Sequence, residues 1–274
     1  MSRIAARFAT LKAEGRGALI PFLEAWDPDP ATSMEILRGM PAAGADLIEI
    51  GCPFTDPMAD GPTVQLAGRR ALNAGATMAH TLAMVRAFRT ENNDIPIILM
   101  GYLNPILSYG PARFCTDAAA SGVDGLIIVD LPSEEADLMA ADAAKNGLDI
   151  IRLVAPTTDE ARLPLVLAGS SGFVYYVSIT GVTGTRTASG AELAEAIPRI
   201  RKFTDLPIAV GFGVRSPAQA AAAVEAADAA VVASALIDNM VASLTPEGKA
   251  GPDSVRIVLD QVRALAEAVR AVRK

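Results

Sequence analysis

Three acidic residues near position 50 have a spacing that suggests proton-transfer chemistry. Glu49 interrupts the apolar residues 47–50, and Asp56 and Asp60 follow in a loop that also contains three prolines. A carboxyl group among leucine and isoleucine side chains is partly desolvated, which raises its pKa and lets it carry a proton near neutral pH. Glu49 is therefore a candidate general acid or base, and the alternative is a buried acid paired with an arginine. Asp56 and Asp60 alone are also typical of turns, because each precedes Pro or Gly-Pro.

The sequence lacks the residues that other mechanisms require. Its one histidine, His80, lies in a stretch with helical spacing, so a histidine-rich metal site and a histidine-based catalytic triad are excluded. None of the lysines ends an apolar, strand-like stretch, which argues against a Schiff-base lysine. Carboxyl groups remain as the candidates for proton transfer, with Tyr102 and Tyr175 available to assist them.

Three segments late in the chain suggest a phosphate-binding site. GVTGT (181–185), GFGVRSP (211–217) and ASALI (233–237) each follow an apolar stretch and contain glycine or serine. Glycines let backbone N–H groups approach an anion closely, and the N-terminus of a following helix favours negative charge. The alternative is that these residues only form tight turns.

Regular elements must position these residues, and the apolar pattern predicts where the strands lie. Eight short, β-prone stretches recur along the chain, and most are continuously apolar, as expected for strands buried on both faces. They are residues 18–23, 46–50, 95–100, 125–130, 149–154, 173–178, 206–211 and 229–234.

Alanine-rich stretches with helical spacing separate the predicted strands, for example residues 81–89, 111–121 and 216–226. Eight strands alternating with helices over about 250 residues predict an α/β fold, a (β/α)8 TIM barrel. The amphipathic N-terminus adds an extra helix, and no linker divides the chain, so we expect one catalytic domain over residues 1–274. A doubly wound sheet is the alternative, but the glycine-rich fingerprint expected after its first strand is missing.

The composition restricts the compartment and the partners. Hydrophobic residues make up 51% of the chain and charged residues 20%, which is enough apolar material for a sizeable core. The net charge of −7 argues against a nucleic-acid partner but not against a phosphorylated metabolite. Two cysteines 63 positions apart, no apolar signal-peptide core and no long apolar run predict a cytoplasmic protein without a membrane span.

Three longer motifs resemble those of one known family. EIGCPFTDPMADGPTVQLAGRRAL (49–72), YYVSITGVTGTR (175–186) and VGFGVRSP (210–217) are similar to motifs of the tryptophan synthase α subunit family. The resemblance covers essentially the whole chain, and the first motif is long and specific. It implies retro-aldol cleavage of indole-3-glycerol phosphate to indole and glyceraldehyde 3-phosphate, a step of tryptophan biosynthesis, without a metal or organic cofactor.

The resemblance also implies residue roles. Glu49 matches the general acid/base, and Asp60 matches the carboxylate that holds the indole N–H and stabilises its developing positive charge. The phosphate-binding positions would be Gly184, Gly213 and Ser234. The indole pocket would be lined by Phe22, Met100, Ile127, Leu153, Tyr175, Thr183 and Phe212.

A partner is implied as well. The family works as an αββα complex in which indole passes to a β subunit that holds pyridoxal phosphate. The loop face of the barrel would be the docking surface, with Asp56, Asn104 and Pro105 as contacts, although Asn104-Pro105 also fits a simple turn. A stand-alone indole-glycerol-phosphate lyase, without a β partner, is an alternative. A non-catalytic regulatory subunit is another, but the intact Glu49 and Asp60 argue against it.

The sequence departs from the family pattern near the expected site. Where the family usually reads close to PFxTAGDP, this chain has PFLEAWDP, which introduces Glu24 and Trp26, and the usual Gly-Ser of the last strand is Ala233-Ser234. These changes fit neutral divergence. They also fit a remodelled pocket for other proton-abstraction chemistry, with Glu24 as a new base and Trp26 as a stacking wall.

Overall fold

A computed structural model describes residues 2–177, 190–211 and 213–273, and every strand pairing in these ranges is parallel. The strands are β1 (Ala18–Glu24), β2 (Ile48–Gly51), β3 (Ile97–Gly101), β4 (Gly125–Ile128), β5 (Asp149–Ile150), β6 (Arg152–Val154), β7 (Val174–Val177), β8 (Ile208–Gly211) and β9 (Ala229–Val232). Each predicted apolar stretch therefore contains strand residues.

Helices occupy the connections between the strands, and several begin at a residue that satisfies or removes a free N–H group. Asp29, Thr77 and Ser216 cap helices with their side chains. The helices are α1 (Arg3–Ala13), α2 (Pro30–Ala43), α3 (Pro62–Asn73), α4 (Met78–Arg89), α5 (Leu103–Tyr109), α6 (Pro111–Ser121), α7 (Ala140–Lys145), α8 (Leu163–Leu167), α9 (Gly190–Arg201), α10 (Pro217–Ala226), α11 (Ser234–Ala242) and α12 (Ser254–Ala271), with a 3-10 helix at Ser133–Leu138.

The strand order closes the sheet into a barrel. The order is β5-β4-β3-β2-β1-β9-β8-β7-β6, so the two ends of the sheet are the consecutive segments β5 and β6. Only Ile151 separates them, and its N–H donates to the carbonyl of Leu126 at 3.0 Å. The predicted strand 149–154 is therefore divided because β5 pairs with β4 and β6 pairs with β7. The predicted (β/α)8 barrel with an extra N-terminal helix is confirmed, with β5 and β6 sharing one strand position.

The N-terminal helix α1 covers the amino-terminal end of the barrel. Its apolar side chains Ile4, Phe8 and Leu11 are buried in the interior cluster that also contains Ile98 and Phe173. The rings of Phe8 and Phe173 lie 5.9 Å apart between centroids, a favourable aromatic packing distance. With its amino-terminal end covered, the barrel interior opens toward the carboxyl ends of its strands.

A second apolar layer lies between the strands and the surrounding helices, and it contains Leu37, Phe88, Phe114 and Val262. This layer fixes the strands, so that residues at their carboxyl ends are held on a rigid scaffold.

No helix in the described ranges is both long and apolar enough to cross a membrane.

Candidate active site

The cavity that we identify as the candidate active site lies at the carboxyl ends of the strands. Its empty volume is about 790 Å³ including the open mouth, which is within the range of small-molecule sites. Side chains from β1, β2, β3 and β7 and from the loops after β2 and β8 line it. They include Phe22, Glu24, Glu49, Cys52, Phe54, Asp60, Val64, Met100, Tyr102, Tyr175, Gly213, Arg215, Ala233 and Ser234.

Glu49 is the most deeply buried acid of the cavity, with 1% of its surface exposed. It lies on β2 directly beside Phe22 of β1. Its Oε2 atom has no hydrogen-bond partner among the described residues. Burial, and to a lesser extent the charge of Asp60, raises the pKa of Glu49 to about 8. Glu49 therefore carries a proton at neutral pH and has a free oxygen to use it, which are the properties of a general acid.

Asp60 lies in the loop between β2 and α3 and is held differently. Burial raises the pKa of Asp60 to about 6, while a hydrogen bond from the Tyr102 hydroxyl opposes that rise. The same hydroxyl accepts a hydrogen bond from the backbone N–H of Ala59 at 3.1 Å. Tyr102 thus fixes the loop as well as the carboxylate, and Asp60 is ionised at neutral pH while Glu49 is protonated. Two neighbouring acids with opposite protonation states can divide acid and anion roles.

The predicted indole-pocket residues fall into three groups. Phe22, Met100 and Tyr175 line the cavity. Ile127 and Leu153 pack in the apolar interior of the barrel with Tyr175 and are not among the lining residues. Thr183 and Phe212 lie outside the described residues.

Tyr175 belongs to the apolar wall of the cavity and also interacts with Glu49. It is buried on β7, and burial together with the charge of Glu49 raises its pKa above the ordinary value. Its ring reaches over Gly211 of β8, where an added Cβ would lie 2.1 Å from the tyrosine oxygen. A side chain at Gly211 would therefore displace the ring from its place beside Glu49.

Two of the predicted phosphate residues, Gly213 and Ser234, line the cavity. Gly213 adopts a φ of 85°, a conformation that favours glycine. Ser234 is the first residue of α11, so backbone N–H groups and the helix dipole are available to an anion there. The third predicted phosphate residue, Gly184, lies outside the described residues.

Sequence reasoning did not single out Arg215, which lines the cavity beside Gly213. Its guanidinium forms an ion pair with Asp238, which also accepts a hydrogen bond from the Thr63 hydroxyl at 3.0 Å. Phe54 and Val64 were missed as well, although all three lie within or next to the quoted motifs. Polar and apolar residues of a loop give no local signal of which side chains turn toward a cavity.

Trp26 does not form the stacking wall that a remodelled pocket would require. Its ring stacks on His80, with centroids 4.4 Å apart and planes 9° from parallel, and it is not among the residues that line the cavity. Trp26 has a φ of 71°, a backbone conformation that favours glycine. Glu24, in contrast, lines the cavity.

The acids of the cavity do not form a metal site: the described part of the chain contains no cluster of three or more His, Cys, Asp or Glu residues that could hold a metal ion.

Comparisons with known proteins agree with this geometry. The family model described as "Tryptophan synthase alpha chain" matches residues 8–268. The chain is 70% identical to the tryptophan synthase alpha chain of Granulibacter bethesdensis over 273 residues, which is 100% of this chain and 98% of the relative. It is 68% identical to that of Gluconacetobacter diazotrophicus over the full length of both chains.

Solved structures give the same result. The tryptophan synthase subunit alpha of Legionella pneumophila superposes with a TM-score of 0.90 at 34% identity, covering 99% of this chain and 100% of the other. A chain of Mycobacterium tuberculosis tryptophan synthase superposes with a TM-score of 0.87 at 36% identity, covering 98% of each.

Proposed function

The chain belongs to the tryptophan synthase alpha chain family, and we propose that it cleaves indole-3-glycerol phosphate to indole and glyceraldehyde 3-phosphate, with Glu49 transferring the protons. The observation that carries this assignment of Glu49 is its environment, a buried carboxyl group with a pKa of about 8 and an oxygen without a partner, facing a cavity of suitable size.

Binding divides between two sides of the cavity. The phosphate group fits beside Gly213, Ser234 and Arg215, where backbone N–H groups, a helix N-terminus and a guanidinium are available. The apolar indole ring fits among Phe22, Met100 and Tyr175, with Ile127, Leu153, Thr183 and Phe212 as further proposed contacts and Gly184 as a further phosphate contact. Asp60, ionised at neutral pH, accepts the indole N–H.

One carboxyl group, that of Glu49, can both donate and accept the proton that the cleavage requires. Protonation of the ring carbon that bears the glycerol chain places positive charge on the ring nitrogen, and the Asp60 carboxylate stabilises that charge. The carbon–carbon bond then breaks as the adjacent hydroxyl group loses its proton and becomes the aldehyde of glyceraldehyde 3-phosphate. Glu49 gives one proton and receives one, so it ends in its starting state.

This chemistry needs no metal or organic cofactor in the chain itself. We further propose that residues 1–274 act as one cytoplasmic catalytic domain that docks to a β subunit in an αββα complex, and that pyridoxal phosphate is held only by that subunit. Support comes from the loop face, where Met58 and Leu107 are exposed apolar side chains and Asp56 and Asn104 are exposed beside them in sequence. Exposed apolar side chains of this size favour a protein contact.

The test is indole release from indole-3-glycerol phosphate by the wild-type protein, by Glu49→Gln and by Glu247→Gln, with and without a β subunit. Glu247 is exposed, so its variant is a matched control for the same chemical change. We expect a loss of about 10²–10⁴-fold for Glu49→Gln, as for removal of a general acid, and none for the control.

The other outcomes separate the alternatives. Release that is equally fast with and without the β subunit would indicate a stand-alone lyase. Folded wild-type protein that releases no indole in either condition would contradict the proposed reaction.

A further inference from the structure

Glu24 is a buried carboxyl group of the cavity that the proposed reaction leaves without a role. It ends β1, and only 5% of its surface is exposed. Residues two apart on a strand face the same side, so Glu24 shares the cavity side with Phe22. The register pairs Phe22 with Glu49 and Glu24 with Gly51. Glu24 therefore lies one layer nearer the mouth of the cavity than Glu49.

Gly51 provides the space for this carboxyl group, and Gly68 lies at ordinary contact distance from it. A Cβ at Gly51 would lie 2.2 Å from Oε2 of Glu24, a distance that no real side chain could keep. A Cβ at Gly68 of α3 would lie 3.6 Å from Oε1. The carboxyl group is thus held between the end of β2 and α3, the two elements that the loop with Asp60 connects.

The charged groups around Glu24 are mostly acidic. Asp60 faces it from the loop before α3, and Asp27 faces it from the loop after β1. Arg70 of α3 is the cation that opposes the rise in the pKa of Glu24, but this guanidinium already binds both oxygens of Asp27, at 2.7 and 2.9 Å. Cys52, Glu49 and Tyr102 also line this cavity and bring no positive charge. Arg215 lines it too, but its guanidinium is paired with Asp238.

A buried acid without a cation of its own is more stable in the neutral form, because burying an unpaired charge is costly. Burial, then the charges of Asp60 and Asp27, raises the pKa of Glu24 well above its usual range, and Arg70 opposes this only in part. The protonated form of Glu24 is therefore favoured, and this form can donate a hydrogen bond to an ionised acid of the same cavity.

We propose that Glu24 is a positioning residue for Asp60: its neutral carboxyl group donates a hydrogen bond to the Asp60 carboxylate, in addition to the one from Tyr102, and so keeps that carboxylate ionised and directed at the ring nitrogen. This inference rests on the proposed function for its consequence, because only an ionised Asp60 stabilises positive charge on indole. Two carboxyl groups that line one cavity are not readily ionised together, and the more deeply buried Glu24 is the one that favours its protonated form.

The test compares Glu24→Gln with Glu24→Leu in the pH dependence of kcat/KM for indole release. Glutamine keeps a neutral donor, whereas leucine fills the space without one. A hydrogen bond to a charged group is worth about tenfold or more in equilibrium terms. We expect the acid limb of Glu24→Leu to move upward by about one pH unit. We expect Glu24→Gln to restore the wild-type limb.

Either of two results would overturn the proposal. An acid limb in Glu24→Leu that coincides with the wild type would mean that Glu24 only fills space, even if the variant is less stable to urea. A glutamine variant as impaired as the leucine variant would mean that Glu24 acts in its ionised form.

A measurement without substrate separates this proposal from the proposed function. Infrared difference spectra, with Asp60→Asn to identify the Asp60 band, follow the ionisation of Asp60 in the wild type and in Glu24→Leu. We expect a higher midpoint for Asp60 in Glu24→Leu, whether or not the protein releases indole. Equal midpoints would overturn the proposal, while absent indole release alone would contradict only the proposed reaction.

Discussion

The two ends of the barrel both bury acidic side chains but surround them differently. At the amino-terminal end, Asp46 and Asp124 are almost fully buried, and each is paired with two arginines. At the carboxyl-terminal end, Glu24 and Glu49 are equally buried, and no ion pair to either occurs within the described ranges.

The paired acids also hold the strands in place. Asp46 accepts the backbone N–H of Leu19 at 3.0 Å, and Asp124 accepts that of Ile97 at 2.8 Å. Each aspartate precedes one strand and accepts a hydrogen bond from the neighbouring strand, so its carboxylate stabilises the barrel. Burial alone therefore does not distinguish the acids of the cavity from structural acids in this molecule, whereas the absence of a paired cation does, in agreement with the division between the two faces of TIM barrels.

The largest expected effect is a loss of stability when one of the arginine-paired acids at the amino-terminal end is replaced. Asp124→Asn removes the acid that binds Arg3 at 2.8 Å and Arg89 at 2.7 Å and leaves the nearly buried Arg89 without its counter-ion. Loss of one partner of a buried ion pair costs about 3–5 kcal/mol. Urea unfolding should show this loss, while kcat per folded molecule stays at the wild-type level. A reduced kcat at unchanged stability would contradict the division.

Replacing Glu49, in contrast, should change how the stability of the protein depends on pH. The pKa of Glu49 is about 8 in the folded chain and about 4.3 in an unfolded chain, so the folded state keeps a proton that the unfolded state releases. The wild type therefore loses stability from this group as pH rises from about 4.5 to about 8, by about 3 kcal/mol at pH 7.

The glutamine variant lacks this titration. Unfolding free energies measured from pH 5 to pH 8 should fall less steeply in Glu49→Gln than in the wild type. Parallel curves for the two proteins would mean that Glu49 has an ordinary pKa in the folded state and is not a buried acid of the proposed kind.

The sequence made the difference between the two ends only partly predictable. Glu49 stood out because it interrupts an apolar strand, and the same pattern predicted the barrel from its alternating strands and helices. Whether an arginine pairs with it could not be read locally, because two of the four arginines that pair with Asp46 and Asp124 come from α1, far away in the sequence. The stacking of Trp26 on His80 was missed for the same reason, since it joins the loop after β1 to α4, which no local pattern connects.

Tyr102→Phe tests how a hydrogen bond controls the pKa of an acid at the carboxyl-terminal end of the barrel. The hydrogen bond from Tyr102 lowers the pKa of Asp60, which is about 6, so its removal should raise that pKa by about one unit. Because the role that we propose for Asp60 requires its anion, the acid limb of kcat/KM should move upward from about pH 6 toward pH 7.

Tyr109→Phe is the matched control, since Tyr109 donates to Asp117 at 2.7 Å away from the cavity. An equal shift in both variants, or none in Tyr102→Phe, would mean that the acid limb does not report Asp60.

The smallest expected effect tests whether ion pairing or burial determines how much the acids at the amino-terminal end contribute to stability. Lys202 and Glu160 form an ion pair at 2.7 Å, as short as that of Arg89 and Asp124, but both side chains are at least half exposed. Exposed pairs contribute about 0.2–1 kcal/mol, because water already solvates both charges and salt screens them. Lys202→Met should therefore change the urea midpoint only slightly. A loss of stability as large as that of Asp124→Asn would attribute the effect to ion pairing itself. A small loss would attribute it to burial. Burial then makes the loss of a partner costly at the amino-terminal end of the barrel, and it makes the absence of a partner useful at the carboxyl-terminal end.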